Sequence, residues 1–253
     1  PVNRMSYLKK YLVKISPSML INVLRLIRES FYRNYFGYVA LNNLDKQLEE
    51  YCNYSHGYYV ELGANDGLTQ SNSFYFEKKK KWNGVLIEPS PNNYLKCRDN
   101  RDSSNKFFCN ACVSFDYEEE YVEMVYANLM TIPMSLKKDI DIESEFLNRS
   151  LKYLKKNEDH FTFGAKAKTL TEILILADSP KIMDFLSLDV EGSEIEVLKG
   201  FDFSLYSFRF LLIESRSIED LKSFLLTYGY VMEKKFSQHD FLFRNQNTAF
   251  QEI

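Results

Sequence analysis

The sequence has few of the residues that staple or punctuate small secreted folds. Cysteine occurs four times in 253 residues, at Cys52, Cys97, Cys109 and Cys112. That is too sparse for a secreted disulfide framework. Cys109 and Cys112 have a zinc-like spacing, but a zinc site needs a second pair of ligands, and neither other cysteine has such a neighbour. On a strand, residues three apart face opposite sides. The four cysteines are read as reduced thiols packed in a core. No signal peptide is visible, and a cytoplasmic location is expected. The chain starts at Pro1 rather than Met, as a processed chain or a piece of something longer does. No apolar run approaches the roughly 18–20 residues that span a bilayer. The net charge of −3 argues against a surface given over to nucleic acid, and no nucleic-acid partner is expected. Neither a three-glycine dinucleotide fingerprint nor a Walker loop ending in Lys-Ser/Thr is present.

What is present is the composition of a folded domain. Apolar residues make up 45 % and charged residues 26 %. These lie close to the globular averages of roughly 45–50 % and 25 %, which excludes a disordered tail or a collagen-like fibre. Twenty Phe and 18 Tyr supply a large core, with aromatic side chains left for a ligand groove. The length allows one large domain, or one domain with an appendage. Charge favours the second. Residues 1–35 hold seven Lys and Arg against one acid, Glu29, a local +6 that leaves −9 on the remainder. Residues 1–40 are read as a basic helical appendage and residues 41–253 as the main domain. In the appendage, Ser16-Pro17 suits an N-cap and first helical position. Leu20, Leu24, Ile27, Phe31 and Tyr35 stack on one helix face, with Arg25, Arg28 and Arg33 off it. Residues 16–36 are expected to dock on the main domain, on a neighbouring domain or on a peripheral membrane surface.

From about Asn42 helices and strands alternate. The pattern predicts helices over Asn42–Tyr51, Gln70–Lys80, Asn92–Asn100, Lys168–Ala177, Ser193–Leu198 and Ile218–Tyr228. It predicts strands over Tyr58–Leu62, Gly84–Ile87, Lys106–Val113, Met183–Leu188 and Phe210–Glu214, with a closing hairpin of Tyr230–Lys234 and Asp240–Arg244. Such alternation means an α/β fold with a mainly parallel sheet. Residues 116–163, from Asp116 to Phe163, are charged and weakly periodic, and are read as an insertion or acceptor-binding region.

Three strand ends carry chemistry. Tyr58–Gly67 runs a strand into a small-residue turn, Glu61-Leu62-Gly63-Ala64-Asn65-Asp66-Gly67. Glycine allows positive φ and close approach of a ligand to the backbone, and open α/β sheets bind ligands beyond the carboxyl ends of their strands. Glu61 and Asp66 would repel a diphosphate and suit a cationic ligand. Val85-Leu86-Ile87-Glu88-Pro89 ends the second strand in an acid that can accept from both ribose hydroxyls of a nucleoside. Phe185–Glu194 places Asp189 and Glu191 just past an apolar strand. Glu194 suits a helix-capping role, and Glu214 ends the following strand.

Together these residues strongly resemble the FkbM family of S-adenosylmethionine-dependent methyltransferases. The matching stretches are Glu61–Gly67 with Ser71-Asn72-Ser73, Trp82–Pro89, Leu188–Glu194, and Leu198-Lys199-Gly200-Phe201. The resemblance implies a Rossmann-like class I methyltransferase fold, α/β, with a seven-stranded, mostly parallel sheet whose last strand is antiparallel. It implies S-adenosylmethionine as cofactor and O-methylation of a hydroxyl, commonly on a sugar or natural product. By position, Gly63 and Gly67 lie under the methionine part, with Glu61 or Asn65 near its amino group. Asn72 and Pro89 fall in matched stretches and join this cofactor set. Glu88 holds the ribose, and Ala111 and Cys112 approach the adenine. Asp189 faces the sulfonium and the acceptor.

Such chemistry is a direct displacement. Most of its rate comes from lining up an acceptor oxygen about 3 Å from the methyl carbon. A general base adds roughly 10²–10⁴-fold. Asp189 and Glu191 are the first candidates for the base. His239 and His160 are the alternatives, since histidine titrates near neutral pH. No metal is assigned. Asp189, Glu191 and Glu214 could instead hold a magnesium ion that binds a sugar diol. The expected acceptor is a sugar or glycan. The alternatives are a non-sugar natural product or lipid, and a catalytically silent binding module that keeps the fold.

Overall fold

The computed structural model describes residues 37–126, 131–133 and 159–247. The appendage and the docking stripe over residues 16–36 lie outside the described residues. At the start of the main domain, the Asp45 carboxylate accepts from the Val39 and Ala40 N–H groups. A single turn follows over Leu41–Asn43, then helix α1, Leu44–Glu49.

The main sheet is built from β1 (Tyr58–Leu62), β2 (Asn83–Ile87), β3 (Lys106–Phe108), β8 (Ile182–Leu188), β9 (Ser207–Glu214), β10 (Tyr230–Lys235) and β11 (Asp240–Asn245). Its order is β10-β11-β9-β8-β1-β2-β3. Neighbours from β3 to β9 pair in parallel, while β11 is antiparallel to both β9 and β10. This is the Rossmann-like class I methyltransferase arrangement, with its antiparallel final strand. Strands buried on both faces need continuous apolar runs, and Phe185-Leu186-Ser187-Leu188 is buried throughout. Helices α2 (Phe74–Lys80), α3 (Pro91–Asn100), α4 (Leu170–Leu176), α5 (Glu194–Leu198) and α6 (Ile218–Leu226) make the crossovers.

The two faces of the sheet differ. Val60, Leu62, Leu186, Leu188, Leu211 and Ile213 join one large apolar cluster. The other face begins with aromatics, where Phe185 packs on Tyr59, Phe76 and Trp82. It then turns polar, because Glu61 and Ser187 are register partners on it.

One strand expectation is corrected. Lys106–Val113 is not one strand. It breaks at Cys109-Asn110 into β3 and β4 (Ala111–Val113), which belong to different sheets. Asn110 marks the crossing, since its buried side-chain amide donates to the Lys166 carbonyl at 3.0 Å. The described part of residues 116–163 carries strands of a second sheet. The second sheet has the order β4-β7-β5-β6, with β5 over Tyr121–Tyr126, β6 over Ile132–Pro133 and β7 over Phe161–Thr169. Val122, Met124 and Ala165 form the small core of this sheet with Ala111 and Val113.

Two helices start later than their patterns predict. Lys168 is still in register with Cys112, and α4 begins only after Thr169, whose side chain and that of Glu172 form a reciprocal capping box. Helix α2 begins at Phe74 because Ser71-Asn72-Ser73 is bonded to Glu61 instead.

Candidate active site

A pocket opens where the strand order reverses between β1 and β8, the usual ligand position in such sheets. Counting open solvent at its mouth, the space is about 690 Å³. Gly63 and Asn65 line it from the β1 turn, and Glu88 and Pro89 from the end of β2. Ala111 and Cys112 line it from β4, and Asp189, Val190, Glu191 and Ser193 from the loop after β8. Met124, Thr131 and Pro133 of the second sheet region close another wall.

Gly63 shows why this turn needs glycine. Its φ is +77°, and a Cβ there would lie 2.0 Å from the Asp189 carbonyl oxygen. The constraint is therefore the approach of two chain segments, β1 and the loop after β8, and not contact with a ligand alone. Gly63→Ala is expected to separate these segments, lowering both the unfolding midpoint and cofactor affinity, as left-handed positions cost a side chain more than about 1 kcal/mol. Thermal melts and calorimetry of the same sample check both effects.

Glu61, Gly67 and Asn72 are not among the lining residues. The buried Glu61 carboxylate accepts from Ser71 Oγ, the Asn72 N–H and Ser73 Oγ. Arg101 sits beneath this turn with no exposed side-chain surface. Its Nε donates to Glu77 at 2.6 Å. Nη1 donates to the Gly67 carbonyl at 3.0 Å and Ser71 Oγ at 3.1 Å. Nη2 donates to Tyr59 Oη at 2.7 Å and Ser73 Oγ at 2.9 Å. Burial pushes Glu77 up, but Arg101 and Lys78 hold its carboxyl below the usual range. Gly67 packs on Arg101 and Cys97. Asn72 Nδ2 donates to Ser187 Oγ, while its Oδ1 is buried without a partner. Asp66 caps its own turn by accepting from the Leu68 and Thr69 N–H groups.

Glu88 is 5 % exposed. One of its oxygens accepts from the Asn65 N–H and the other from the Ser90 N–H, both at 2.9 Å. Each oxygen keeps a further lone pair for a ligand donor. Burial pushes its carboxyl up to about 7, against the pull of those two N–H groups. A carboxyl raised in the folded state stabilises the fold below its unfolded pKa, and that stability is lost as pH rises through about 7. The cofactor-free protein is therefore expected to melt higher as pH falls from 8 to 6, with a weaker trend in Glu88→Gln.

After β8 the backbone turns sharply, with positive φ at Glu191 (55°) and Gly192 (95°). Asp189 Oδ1 and Ser193 Oγ are buried without hydrogen-bond partners, although the Asp189 residue as a whole is half-buried. Burial, then the charges of Glu214, Glu191, Glu194 and Asp240, push the Asp189 carboxyl well above the usual range. Among the described residues, no three His, Cys, Asp or Glu side chains are grouped to hold a metal ion. His239 does not line the pocket. Its carbonyl accepts from the Ser215 N–H. Burial pushes the nearby Glu214 and Asp240 carboxyls up, and His239 offsets part of that rise. His160 is exposed just before β7.

The sequence matches the methyltransferase FkbM domain over residues 61–243. The chain belongs to the FkbM methyltransferase family. No curated protein matches it. Solved structures with a similar trace include a candidate RNA methyltransferase of Pyrococcus horikoshii, at 9 % identity, covering 82 % of this chain and 83 % of that one, with a TM-score of 0.41. Another is the precorrin-6y C5,15-methyltransferase of Geobacter metallireducens, at 11 % identity, 80 % and 87 % coverage, and a TM-score of 0.40.

S-adenosylmethionine is the cofactor of this FkbM methyltransferase, and the residues present fit it. Buried polar atoms are normally paired, yet Asp189 Oδ1 and Ser193 Oγ are not. Ser193 stands at the N-cap of α5 but makes no side-chain cap bond. Glu88 would hold the ribose hydroxyls. Ala111, Cys112 and Ile87 offer an apolar slot for the base. Gly63, Asn65 and Asp189 would surround the methionyl end. Sequence reasoning missed Arg101, which stands in the charged run Arg98-Asp99-Asn100-Arg101-Asp102 and carries no signal of burial. It also missed Met124, Thr131 and Pro133, for want of a fold assigned to residues 116–163.

Glu88→Ala is expected to weaken cofactor binding by about 1.5–3 kcal/mol, the range for hydrogen bonds to a charged group. Calorimetry with S-adenosylmethionine measures it, and wild-type affinity in a folded variant would remove Glu88 from the site.

Proposed function

We propose that this FkbM methyltransferase transfers a methyl group to a hydroxyl oxygen of a sugar or glycan. The observation that carries the reading is the Asp189 carboxyl, whose buried Oδ1 on the pocket wall has no partner in the protein. A hydroxyl is the donor that such an oxygen lacks.

The cofactor, when bound, supplies an electrophilic methyl group on a sulfonium. Glu88 and the β1 turn fix the position of the nucleoside. Asp189 Oδ1 accepts the hydrogen bond of the acceptor hydroxyl and takes its proton as the oxygen attacks. Glu191 lines the same stretch of wall and offers further acceptors for a diol. Met124 and Pro133 on another wall, with Val190 between the two acids, exclude water. That apolar wall also supports a second reading, in which the acceptor is a non-sugar natural product or lipid. All four cysteines are free, which supports a reducing, cytoplasmic setting. Among the described residues, no helix is long and apolar enough to cross a membrane.

The test is a methyl-transfer screen against nucleotide sugars, free glycosides, extracted glycans and hydrophobic alcohols. A base-stable methyl ether on a sugar supports the proposal. Transfer only to the hydrophobic alcohols selects the second reading, and transfer only to nitrogen or carboxylate overturns both.

A further inference from the structure

Three acids stand in a row across the sheet at the pocket end. Leu188 of β8 is the register partner of Ile213 of β9, so Asp189 and Glu214 follow as neighbours one strand spacing apart. Glu214 is in turn the direct partner of Asp240 on β11. The Asp189 and Glu214 side chains thus follow register partners on adjacent parallel strands, a spacing at which two buried carboxyls resist carrying two charges and favour sharing one proton. Asp240 is occupied from the other side, by Ser237 Oγ. Of the row, Asp189 alone lines the pocket, with a buried, unpartnered Oδ1, and it is backed by a second carboxyl that the pocket does not touch.

We infer that Glu214 is a positioning residue for the charge of the cofactor: Asp189 and Glu214 hold one proton between them, and a cation in the pocket moves it onto Glu214, leaving Asp189 as the carboxylate. The proton stays inside the pair, so the shift requires no exchange with solvent. Asp189 thus meets the positive ligand ionised, although its neighbours Glu191, Glu194 and Asp240 oppose that charge. Burial and Asp240 push Glu214 up, while Asp189, Arg216 and His239 offset part of that rise. With no cation in the pocket the proton rests on Asp189, whose carboxyl burial pushes well above the usual range. Two carboxyls sharing a site lose their protons in two separated steps. The second loss adds a negative charge beside the ligand.

The experiment needs no acceptor, so its failure is distinct from failure of the sugar reading. Affinities for S-adenosylmethionine and for S-adenosylhomocysteine, which lacks the positive sulfur, are measured by calorimetry from pH 6 to 9.5. Their ratio cancels the titration of Glu88, because both ligands carry the same ribose. Comparing wild type with Glu214→Gln cancels the titrations of the ligands themselves. The preference of the wild type for the charged ligand is expected to gain about tenfold over that of Glu214→Gln as pH rises, equivalent to one unit of coupling. Glu214→Asp keeps the gain. Asp189→Asn loses it, and decides the matter should Glu214→Gln fail to fold. Parallel profiles in wild type and Glu214→Gln, or loss of the gain in His239→Asn, would overturn the inference.

Discussion

Replacing Arg101 with methionine is expected to lower the unfolding free energy by about 3–5 kcal/mol, the range for removing one partner of a buried ion pair. The loss is large because the guanidinium is fully enclosed and bonded on all three nitrogens. Without it, Glu77 and Glu61 remain buried, and Tyr59 and the Gly67 carbonyl each lose a donor. Domains are stable by only about 5–15 kcal/mol, so the variant should sit near its unfolding threshold. Arg101→Lys should recover part of the stability at most, since one ammonium cannot reach Glu77, Gly67 and Tyr59 together. Urea denaturation measures both variants, and a change within about 1 kcal/mol would show that the network is relaxed in solution.

Asp189→Asn should reduce kcat at least about 10²-fold, the lower end of general-base effects. The amide keeps the shape of the side chain and cannot take a proton. A group that acts mainly in the transition state lowers turnover without a matching loss of ground-state binding. Cofactor affinity should therefore fall far less than turnover. Glu191→Gln, assayed alongside, should also lose turnover, with a smaller effect on the cofactor. Wild-type rates in both variants would remove both acids as the base and make His239, beside Glu214, the next residue to mutate. Adding and chelating magnesium in the same assay tests a metal-held diol, and unchanged rates would set it aside.

The main sheet is legible in the sequence because each parallel strand is a short apolar run ending in a polar or glycine turn. Val85–Ile87 ends at Glu88, and Phe185–Leu188 ends at Asp189. The second sheet was harder to read. Phe161, Phe163, Ala165 and Ala167 do alternate with Thr162, Gly164, Lys166 and Lys168, but a half-buried strand with small residues and two lysines resembles a loop until its partners are known. The break at Cys109-Asn110 had no local signal, since Phe107, Phe108, Ala111 and Val113 suit one strand as well as two. Among the site residues, Glu88 and Asp189 were legible because an acid after an apolar strand has few structural uses. Glu61 was read toward a ligand because nothing in sequence pairs it with Ser71, Ser73 and Arg101. That network is assembled only when β1, α2 and the end of α3 converge.

The walls of the pocket descend from two independent ladders. One side, with Gly63, Glu88 and Asp189, belongs to the ends of the parallel strands and to segments locked by Arg101 and by the Gly63–Asp189 approach, while Ala111 and Cys112 come from β4 of the second sheet. The facing wall, Met124 and Pro133, belongs to β5 and β6, which share no register with β1, β2 or β8. Insertions, deletions or transplanted hairpins in β5 and β6 would reshape that wall while leaving β1, β2 and β8 in register. An engineer reshaping this pocket should therefore recombine β5 and β6, keep β4, and leave the parallel strands alone.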